Sequence, residues 1–558
     1  MGRNLSRIMW LLFGAVIVLQ FVMPFIYPVA GYDAWIHLNW LEQFPRLFRE
    51  GNLYPRWMPD SFWGFGSPAF YFYPPFAYWC GSLISFINPS PVFIYQILGL
   101  LGTIVSVWTC YLYLRSIVTD KHTAFIGALI YGVFPYRFID LYLRNALGEH
   151  IAFVFFPLIF LSIESALKCT TRKQIVSTII ISAIGWSGIL LTNIPTSVIV
   201  IYTVPIYFII RARSIRFYKS VFAPLTGAII GLMIAAIYLF PIPEYISSIK
   251  LSHFWDLQKL QGNSGYAIVD ILYGKFRYFY VGLLIVLASA VWLFYRFYLL
   301  RKKAENKSIL TVILVFLAIS LAFQIPYIFQ PLFEALPFFN LIQYSYRWDI
   351  LIVFAASVFI AINIQNAEKK SSKCFTIFSS LVTIILAVGY FFTMDGVHWQ
   401  YKPVPGHIDP PEYLSSSVKN DFVIAENDFK SHVSDSIIVY EKDSLQIHVL
   451  SETPLTTIFL AALPESGEGN VFFHRMVFPA WSLQSLSANG SGIQFSDSLH
   501  RICAILQYNG NGPNSAKYIL ELEKNPTEKN GELITCIGLS ILSILIIIII
   551  SSRNPKAS

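Results

Sequence analysis

Charge is scarce in this 558-residue chain: Asp, Glu, Lys and Arg make up only 13% of it, against 55% hydrophobic residues. With a mean hydropathy of +0.58, that balance excludes an ordinary water-soluble globule. Cysteine is equally thin. Cys80, Cys110, Cys169, Cys374, Cys503 and Cys536 show no CxxC or metal-ligand spacing, so neither a disulfide framework nor a zinc site is implied. The chain also lacks a phosphate-binding Gly loop, a GxSxG, an HExxH and any ATP signature. A group transfer by this protein would need a substrate that arrives already activated. Internal repeats are absent, and the Ile-rich final run is the one low-complexity stretch.

In place of charge there are charge-free apolar runs of bilayer-spanning length, clear at Ile8 to Tyr27, Val92 to Leu114, Val221 to Phe240, Ile309 to Phe329 and Leu533 to Ile550. The first follows Arg3 and Arg7 but lacks small residues at cleavage spacing, so it reads as an uncleaved anchor. The net charge of +8 comes from short Lys/Arg clusters between the runs, which are topology signals rather than a nucleic-acid patch. The positive-inside rule puts the clusters at Arg115/Lys121, Lys168 to Lys173, Arg211 to Lys219, Arg296 to Lys307, Lys369 to Lys373 and Arg553/Lys556 in the cytoplasm with the N-terminus.

Alternation then tests the aromatic stretch Phe70 to Ile87. Counting it as a span would send nearly every cluster outside, so it is expected at the interface, consistent with its Pro74-Pro75 pair. About twelve spans remain, with Thr123 to Tyr136 the shortest and a long first outer loop at 29–91. From about Asp395 the composition turns polar, with strand-like runs at Ser436 to Tyr440, Leu445 to Leu450, Val471 to Phe478 and Tyr518 to Leu522. The expected fold is a polytopic α-helical membrane protein with a β-rich, sandwich-like extracytoplasmic domain near its C-terminus. The expected organisation is 1–393 membrane domain, 394–532 β domain, and 533–558 final helix with a short cytoplasmic tail, in a plasma membrane.

Ionisable residues avoid the middles of the spans, where a transporter would place some. They gather at the outer ends. In GYDAWIHL, Asp33 and His37 are one helical turn apart, as an acid/base or metal-ligating pair would be, or as an N-terminal Asp and an interfacial His would be. In LYLRNALGEHIAF, Arg144 and Glu149 are five apart, not the surface i,i+4 spacing, so each is expected to have a different partner. Their alternative is an ion pair closing the bundle top. Glu244 follows two prolines that stop a helix; a solvated carboxylate is the plain reading. Arg347 begins a span on the side where positive charge is disfavoured, with snorkelling among Tyr344, Tyr346 and Trp348 as its plain reading. Outer-face guanidiniums beside carboxylates suit phosphate-linked group transfer, because the planar fork matches phosphate oxygens.

The order D-x-x-x-H, GNLYPRW, GFGSPAFYFYPPFAYW, PYRFIDLYLRNALGEHIA, LLTNIPTS, YLFPIPEY and LIQYSYRW resembles the bacterial membrane family labelled 6-pyruvoyl-tetrahydropterin synthase-related, kin to the YfhO-like proteins of the glycosyltransferase C superfamily. PPEYL and HRMVFPAWSL extend the likeness into the external domain. The resemblance implies a glycosyltransferase C-like fold and a polyprenyl-phosphate-sugar-dependent hexosyl- or pentosyltransferase, with a glycan, lipid or protein acceptor. It maps the loop acid that serves as base or metal ligand onto Asp33, and the second-loop arginine and acid onto Arg144 and Glu149. The family often has His where this chain has Asn193, and Gln-Phe-Pro-Trp-Arg where it has Gln343 to Arg347. A WWDYG-type motif is missing, which argues against transfer to asparagine.

The site expected from these readings has Asp33, His37, Glu149 and Glu244 as catalytic groups. Arg56, Tyr73, Arg144, Asn193, Gln343, Tyr346 and Arg347 would bind substrate, and Asp33 with His37 would hold an optional divalent cation, Mg or Mn. Membrane lipid is an expected partner and nucleic acid is not. The rival classes are a lipid or glycan flippase, which needs a polar path through the bundle, and a non-enzymatic scaffold presenting the β domain.

Overall fold

The computed structural model describes residues 31, 33–212, 217–250, 307–323, 326–365, 413, 438–440, 446–462, 467–486, 494–498, 501–508 and 515–552. Among these, six helices are long and apolar enough to cross a membrane, or eight if each of two bent pairs is one span. The expected anchor at Ile8 to Tyr27 lies outside the described residues.

The helices used below are α1 (Ala34–Arg49), α2 (Phe76–Ile84), α3 (Pro91–Ile117), α4 (Lys121–Val133), α5 (Leu147–Lys168), α6 (Arg172–Leu190), α7 (Ile194–Ala212), α8 (Phe217–Ile234), α9 (Lys307–Phe323), α10 (Pro326–Ala335), α11 (Asp349–Gln365) and α12 (Pro526–Ser551). Local chemistry sets their starts. Ser90 caps α3 with Pro91 at its first position, and Thr171 with Gln174 makes a capping box on α6. Lipid offers no hydrophobic drive between helices, so close contact of small residues holds them. A Cβ on Gly188 of α6 would sit 2.1 Å from the Phe155 ring of α5, and one on Gly231 of α8 would sit 2.7 Å from Trp186 of α6.

Three apolar runs depart from single straight spans. The run Ile309 to Phe329 is divided between α9 and α10. Val221 to Phe240 bends by 50° after Ile234, and Thr123 to Tyr136 ends as α4 at Val133, with a bent continuation. The stretch Phe70 to Ile87 forms one turn, Ala69–Phe72, and the nine-residue α2. At 1.5 Å per residue, nine residues reach about 14 Å, against a hydrocarbon core of about 30 Å. Its rings fill an aromatic cluster on α1, with Phe70 4.7 Å from Phe44 and 4.6 Å from Tyr78, and Trp40 4.8 Å from Tyr73.

Two four-stranded antiparallel sheets follow, β1-β4-β7-β6 and β2-β3-β8-β5, comprising β1 (Ile438–Tyr440), β2 (Gln446–Thr453), β3 (Thr456–Ala462), β4 (Gly467–Met476), β5 (Trp481–Ser485), β6 (Gln494–Ser498), β7 (Arg501–Tyr508) and β8 (Ser515–Leu522). Burial alternates along β3, as one covered face requires, and Phe459 of β3 meets Phe473 of β4 across the sheets at 5.7 Å. The HRMVFPAWSL segment docks this domain on the first loop. Met476 N donates to Phe65 O at 2.7 Å, His474 Nε2 lies 2.9 Å from Trp63 O, Trp481 meets Trp57 edge-on at 5.3 Å, and Phe478 packs on Tyr71 and Tyr245.

A buried ion pair ties three distant segments together. Arg56 Nε of the first loop lies 3.0 Å from Glu528 Oε2 at the start of α12, while Arg56 Nη2 donates to Ile237 O at 2.7 Å. Truncating one partner leaves an uncompensated buried charge, which costs about 3–5 kcal/mol. Arg56→Ala is therefore expected to lower the thermal unfolding temperature of detergent-solubilised protein markedly. Adding Glu528→Gln should recover most of the loss. Equal melting of wild type and the single variant would show that the pair does not hold the segments together.

Candidate functional site

The loop before α5 decides the geometry. Ile139–Arg144 winds as a π-helical turn and ends at Asn145 in the left-handed conformation, φ 55°, which an Asn tolerates better than most residues. The Asn145 side chain accepts from Gly31 N and donates to Tyr95 Oη at 3.0 Å and Leu141 O at 2.8 Å. Asp33 N donates to Arg144 O at 2.8 Å. Two loops more than a hundred residues apart are thus stitched edge to edge, and Asp33 is delivered beside Arg144.

Because the chain turns back at Asn145, Arg144 and Glu149 meet each other, correcting the expectation of separate partners: Nη1 to Oε2 is 2.9 Å. The same Nη1 lies 2.9 Å from Asp140 Oδ1, the Tyr136 hydroxyl donates to Glu149 Oε1, and Arg347 Nε comes within 3.5 Å of Glu149 Oε2. Both guanidiniums lie over rings, Arg144 4.7 Å from the Tyr346 centroid and Arg347 5.5 Å from that of Tyr344. The two tyrosines stack at 5.2 Å and 9°, a cation–π shelf that suits desolvated cations. Arg347 Nη1 is buried with no hydrogen-bond partner among the described residues.

Arg144, Glu149, Tyr344, Tyr346 and Arg347 line one cavity of about 820 Å³. Of the expected site residues, Asp33, His37, Tyr73, Arg144, Glu149, Asn193, Gln343, Tyr346 and Arg347 all face it. The rest of the wall is largely apolar, drawn from α7 and the segment after α8, including Ile194, Val198, Ile201, Leu239 and Ile242. Arg56 and Glu244 are not in the lining. Arg56 is engaged with Glu528, and Glu244 is exposed, accepting from the Thr527 hydroxyl. Sequence reasoning passed over Tyr136, Asn145, Trp40 and Tyr413. Tyr413, from the PPEYL motif, lines the cavity against Trp40 at 5.9 Å.

Burial holds the Asp33 carboxyl above the ordinary range, and Glu149 adds to this, while Arg144 and Arg347 pull it back down. Burial pushes His37 down to about 3, and its Nδ1 lies 2.6 Å from the Tyr78 hydroxyl. A neutral imidazole bonded to a phenol and a single carboxylate facing two guanidiniums do not complete a divalent-cation site. Among the described residues no group of three or more His, Cys, Asp or Glu is placed to hold a metal.

The family model of the 6-pyruvoyl-tetrahydropterin synthase related domain, described as a membrane protein, matches residues 70–395. No curated protein matches the chain. Solved structures that resemble it include the Archaeoglobus fulgidus oligosaccharyltransferase tethered with an acceptor peptide, at 13% identity and a TM-score of 0.41, covering 68% of this chain and 55% of that one. They also include the archaeal oligosaccharyltransferase AglB from Archaeoglobus fulgidus in complex with an inhibitory peptide and a dolichol-phosphate, at 13% identity and a TM-score of 0.37, with the same coverage. The chain thus spans little more than half the length of these proteins.

His37 generates a pH prediction. Its folded value lies below the ordinary imidazole value of 6.5, so its contribution to stability is fully present above pH 6.5 and is lost as pH falls from there toward 3. Histidine-labelled protein should show a His37 resonance that stays neutral from pH 8 to pH 5. An imidazolium signal appearing near pH 6.5 would contradict the buried, Tyr78-bonded ring.

Proposed function

This chain belongs to the 6-pyruvoyl-tetrahydropterin synthase related family of membrane proteins, and for its cavity we propose a membrane glycosyltransferase activity that moves a sugar from a polyprenyl-phosphate donor to an acceptor hydroxyl. The observation that carries the proposal is the make-up of the cavity lining. It holds Asp33 together with two guanidiniums, one of which has a buried donor with no partner among the described residues. The rest of the lining is largely apolar and suits a lipid tail.

In this reading Asp33 takes the acceptor proton as the acceptor oxygen attacks the anomeric carbon. The bond from that carbon to the phosphate oxygen breaks, the phosphate leaves with the electron pair, and the configuration inverts. Arg347 and Arg144 stabilise the departing phosphate. Gln343, Tyr73 and Asn193 orient the sugar, and neutral His37 fixes the Tyr78 side of the pocket. A positioned base contributes ~10²- to 10⁴-fold, and charge stabilisation in a dry site contributes as much or more. The proposed frame is the one read from the sequence: about twelve spans, a cytoplasmic N-terminus, and the cavity and β domain on the extracytoplasmic face of the plasma membrane.

The test supplies radiolabelled polyprenyl-phosphate sugar to the purified chain in lipid nanodiscs with an envelope-glycan acceptor fraction. Asp33→Asn should lower kcat by ~10²-fold or more, and Arg347→Ala by ~10²- to 10³-fold. Full transfer by both folded variants would sink the site assignment. Movement of lipid between leaflets without transfer by wild type would sink the enzyme reading. The pH profile supplies a second check: the base works ionised, so activity should fall as pH drops, with a midpoint above the ordinary carboxylate range because burial raises Asp33. Asp33→Glu should shift that limb, whereas a profile flat down to pH 4 would remove Asp33 as base.

A further inference from the structure

The break in α8 is made by side chains from two other segments. α8 ends at Ile234, and the chain bends by 50° into the turn Ala236–Leu239. In an unbroken helix Ile237 N would donate to Met233 O, four residues back. Here it donates to the Thr535 hydroxyl of α12 at 2.8 Å, and that hydroxyl reaches Met233 O and Ile234 O, each at 3.2 Å, as donor. A side chain from a neighbouring helix thus stands inside the opened backbone bond, which kinks the helix. The carbonyl of Ile237 is taken as well. Its regular partner would be residue 241, which is Pro241 and has no N–H; Arg56 Nη2 donates to it instead at 2.7 Å.

The surface of α12 fits this contact. Gly531, Thr535 and Gly538 share one face at i, i+4 and i+7. A Cβ on Gly531 would lie 2.7 Å from Ala236 O, and one on Gly538 would lie 3.0 Å from Met233 Cβ, so the two backbones meet closely and Thr535 is buried between them. Nearer the start of α12, Tyr245 donates to Glu528 Oε1 at 3.3 Å and Thr527 donates to Glu244. The segment held in this way is part of the apolar wall: Tyr238, Leu239, Ile242, Pro243 and Ile246 all line the cavity. A straight α8 would restore its own bond at Met233 and turn this segment by 50° from its place.

We infer that Thr535 is a positioning residue for the lipid tail of the donor: its hydroxyl holds α8 broken, so that residues 238–246 form the wall along which a polyprenyl chain lies. This rests on the polyprenyl-phosphate reading above. It gives α12, which contributes no residue to the lining among the described residues, a part in donor binding. Loss of the hydroxyl leaves Ile237 N without an acceptor in an apolar bundle, a cost that straightening of α8 relieves. Asp33, Arg144 and Arg347 stand on other segments and keep their places.

The test measures transfer kinetics of the full chain in nanodiscs with undecaprenyl-phosphate and farnesyl-phosphate sugars as donors. Thr535→Val keeps the shape of the side chain and removes the hydroxyl. It should raise KM for the undecaprenyl donor roughly tenfold, leave kcat within about twofold, and move KM for the short farnesyl donor far less. Thr535→Ser restores the hydroxyl and should return KM to the wild-type value. Where Thr535→Val does not fold, Gly538→Ala should raise the same KM, because its methyl group presses α12 away from Met233. If Thr535→Val loses stability and kcat alike on both donors with KM unchanged, the hydroxyl is a structural staple and the positioning role is wrong, though the proposed function stands. If wild type transfers sugar from neither donor, the glycosyltransferase reading fails, and the role of Thr535 with it.

Discussion

Everything at the top of this bundle depends on one carboxylate. Glu149 sits at the start of a buried helix and is shared by Arg144, Arg347 and the Tyr136 hydroxyl. A charge moved from water to such a place costs several kcal/mol even after relaxation, and only partners with good geometry repay it. The partners come from two segments, Tyr136 and Arg144 from the turns before α5 and Arg347 from the turn that opens α11. Satisfying Glu149 therefore fixes the relative position of those segments. Asp33 follows, because its amide is bonded to the carbonyl of Arg144.

The β domain extends this arrangement outward. Its docking segment closes on Trp63 and Phe65 of the first loop, and the aromatic cluster of that loop packs on α1, which carries His37 and begins at Asp33. The chain then returns to the bundle through α12, whose Glu528 pairs with Arg56 of the same loop. The domain's docking segment and its exit into α12 thus bear on one loop. The sheets need not touch substrate to matter, since they hold the backbone on which the Asp33 side of the cavity is built.

Much of this was readable from composition and spacing. Charge-free runs mark the spans because an unpaired backbone polar group in hydrocarbon is intolerable, and the gathering of ionisable groups at helix ends points to Asp33, His37, Arg144, Glu149 and Arg347 of the cavity, though equally to Arg56 and Glu244 outside it. What escaped had specific causes. The five-residue spacing of Arg144 and Glu149 suggests separate partners only by comparison with the helical i,i+4 pair, whereas a π-turn and a left-handed Asn145 reverse the chain between them, and no hydrophobic period signals such a turn. Arg56 looked like a phosphate ligand because its partner, Glu528, lies more than four hundred residues away. Tyr136 was passed over because an apolar-looking aromatic at a helix end gives no sign that its hydroxyl is needed. Strands β5 and β6 are short and carry polar residues throughout, while β3 and β7 carry unbroken apolar runs that periodicity alone does not separate from helix.

A second buried arginine–carboxylate group in the same bundle serves as an internal control. Glu164 lies fifteen residues further along α5, about 22 Å down the helix. There Arg211 grips it through two nitrogens, Nε to Oε1 at 2.5 Å and Nη2 to Oε2 at 2.7 Å, and Tyr207 donates to Oε1 at 2.6 Å. The third nitrogen of Arg211 donates to Ser308. Every strong donor there has an acceptor, which is how a charge is buried for structure. At the cavity the same residue types are arranged differently: Glu149 is shared by two guanidiniums, Arg144 also reaches Asp140, and Arg347 keeps a buried nitrogen with no partner among the described residues. The two ion clusters sit on one helix, and of the two, the one beside the cavity keeps an arginine nitrogen unpartnered among the described residues. That difference, rather than the presence of arginine and glutamate, distinguishes the cavity cluster from the clasp at Glu164.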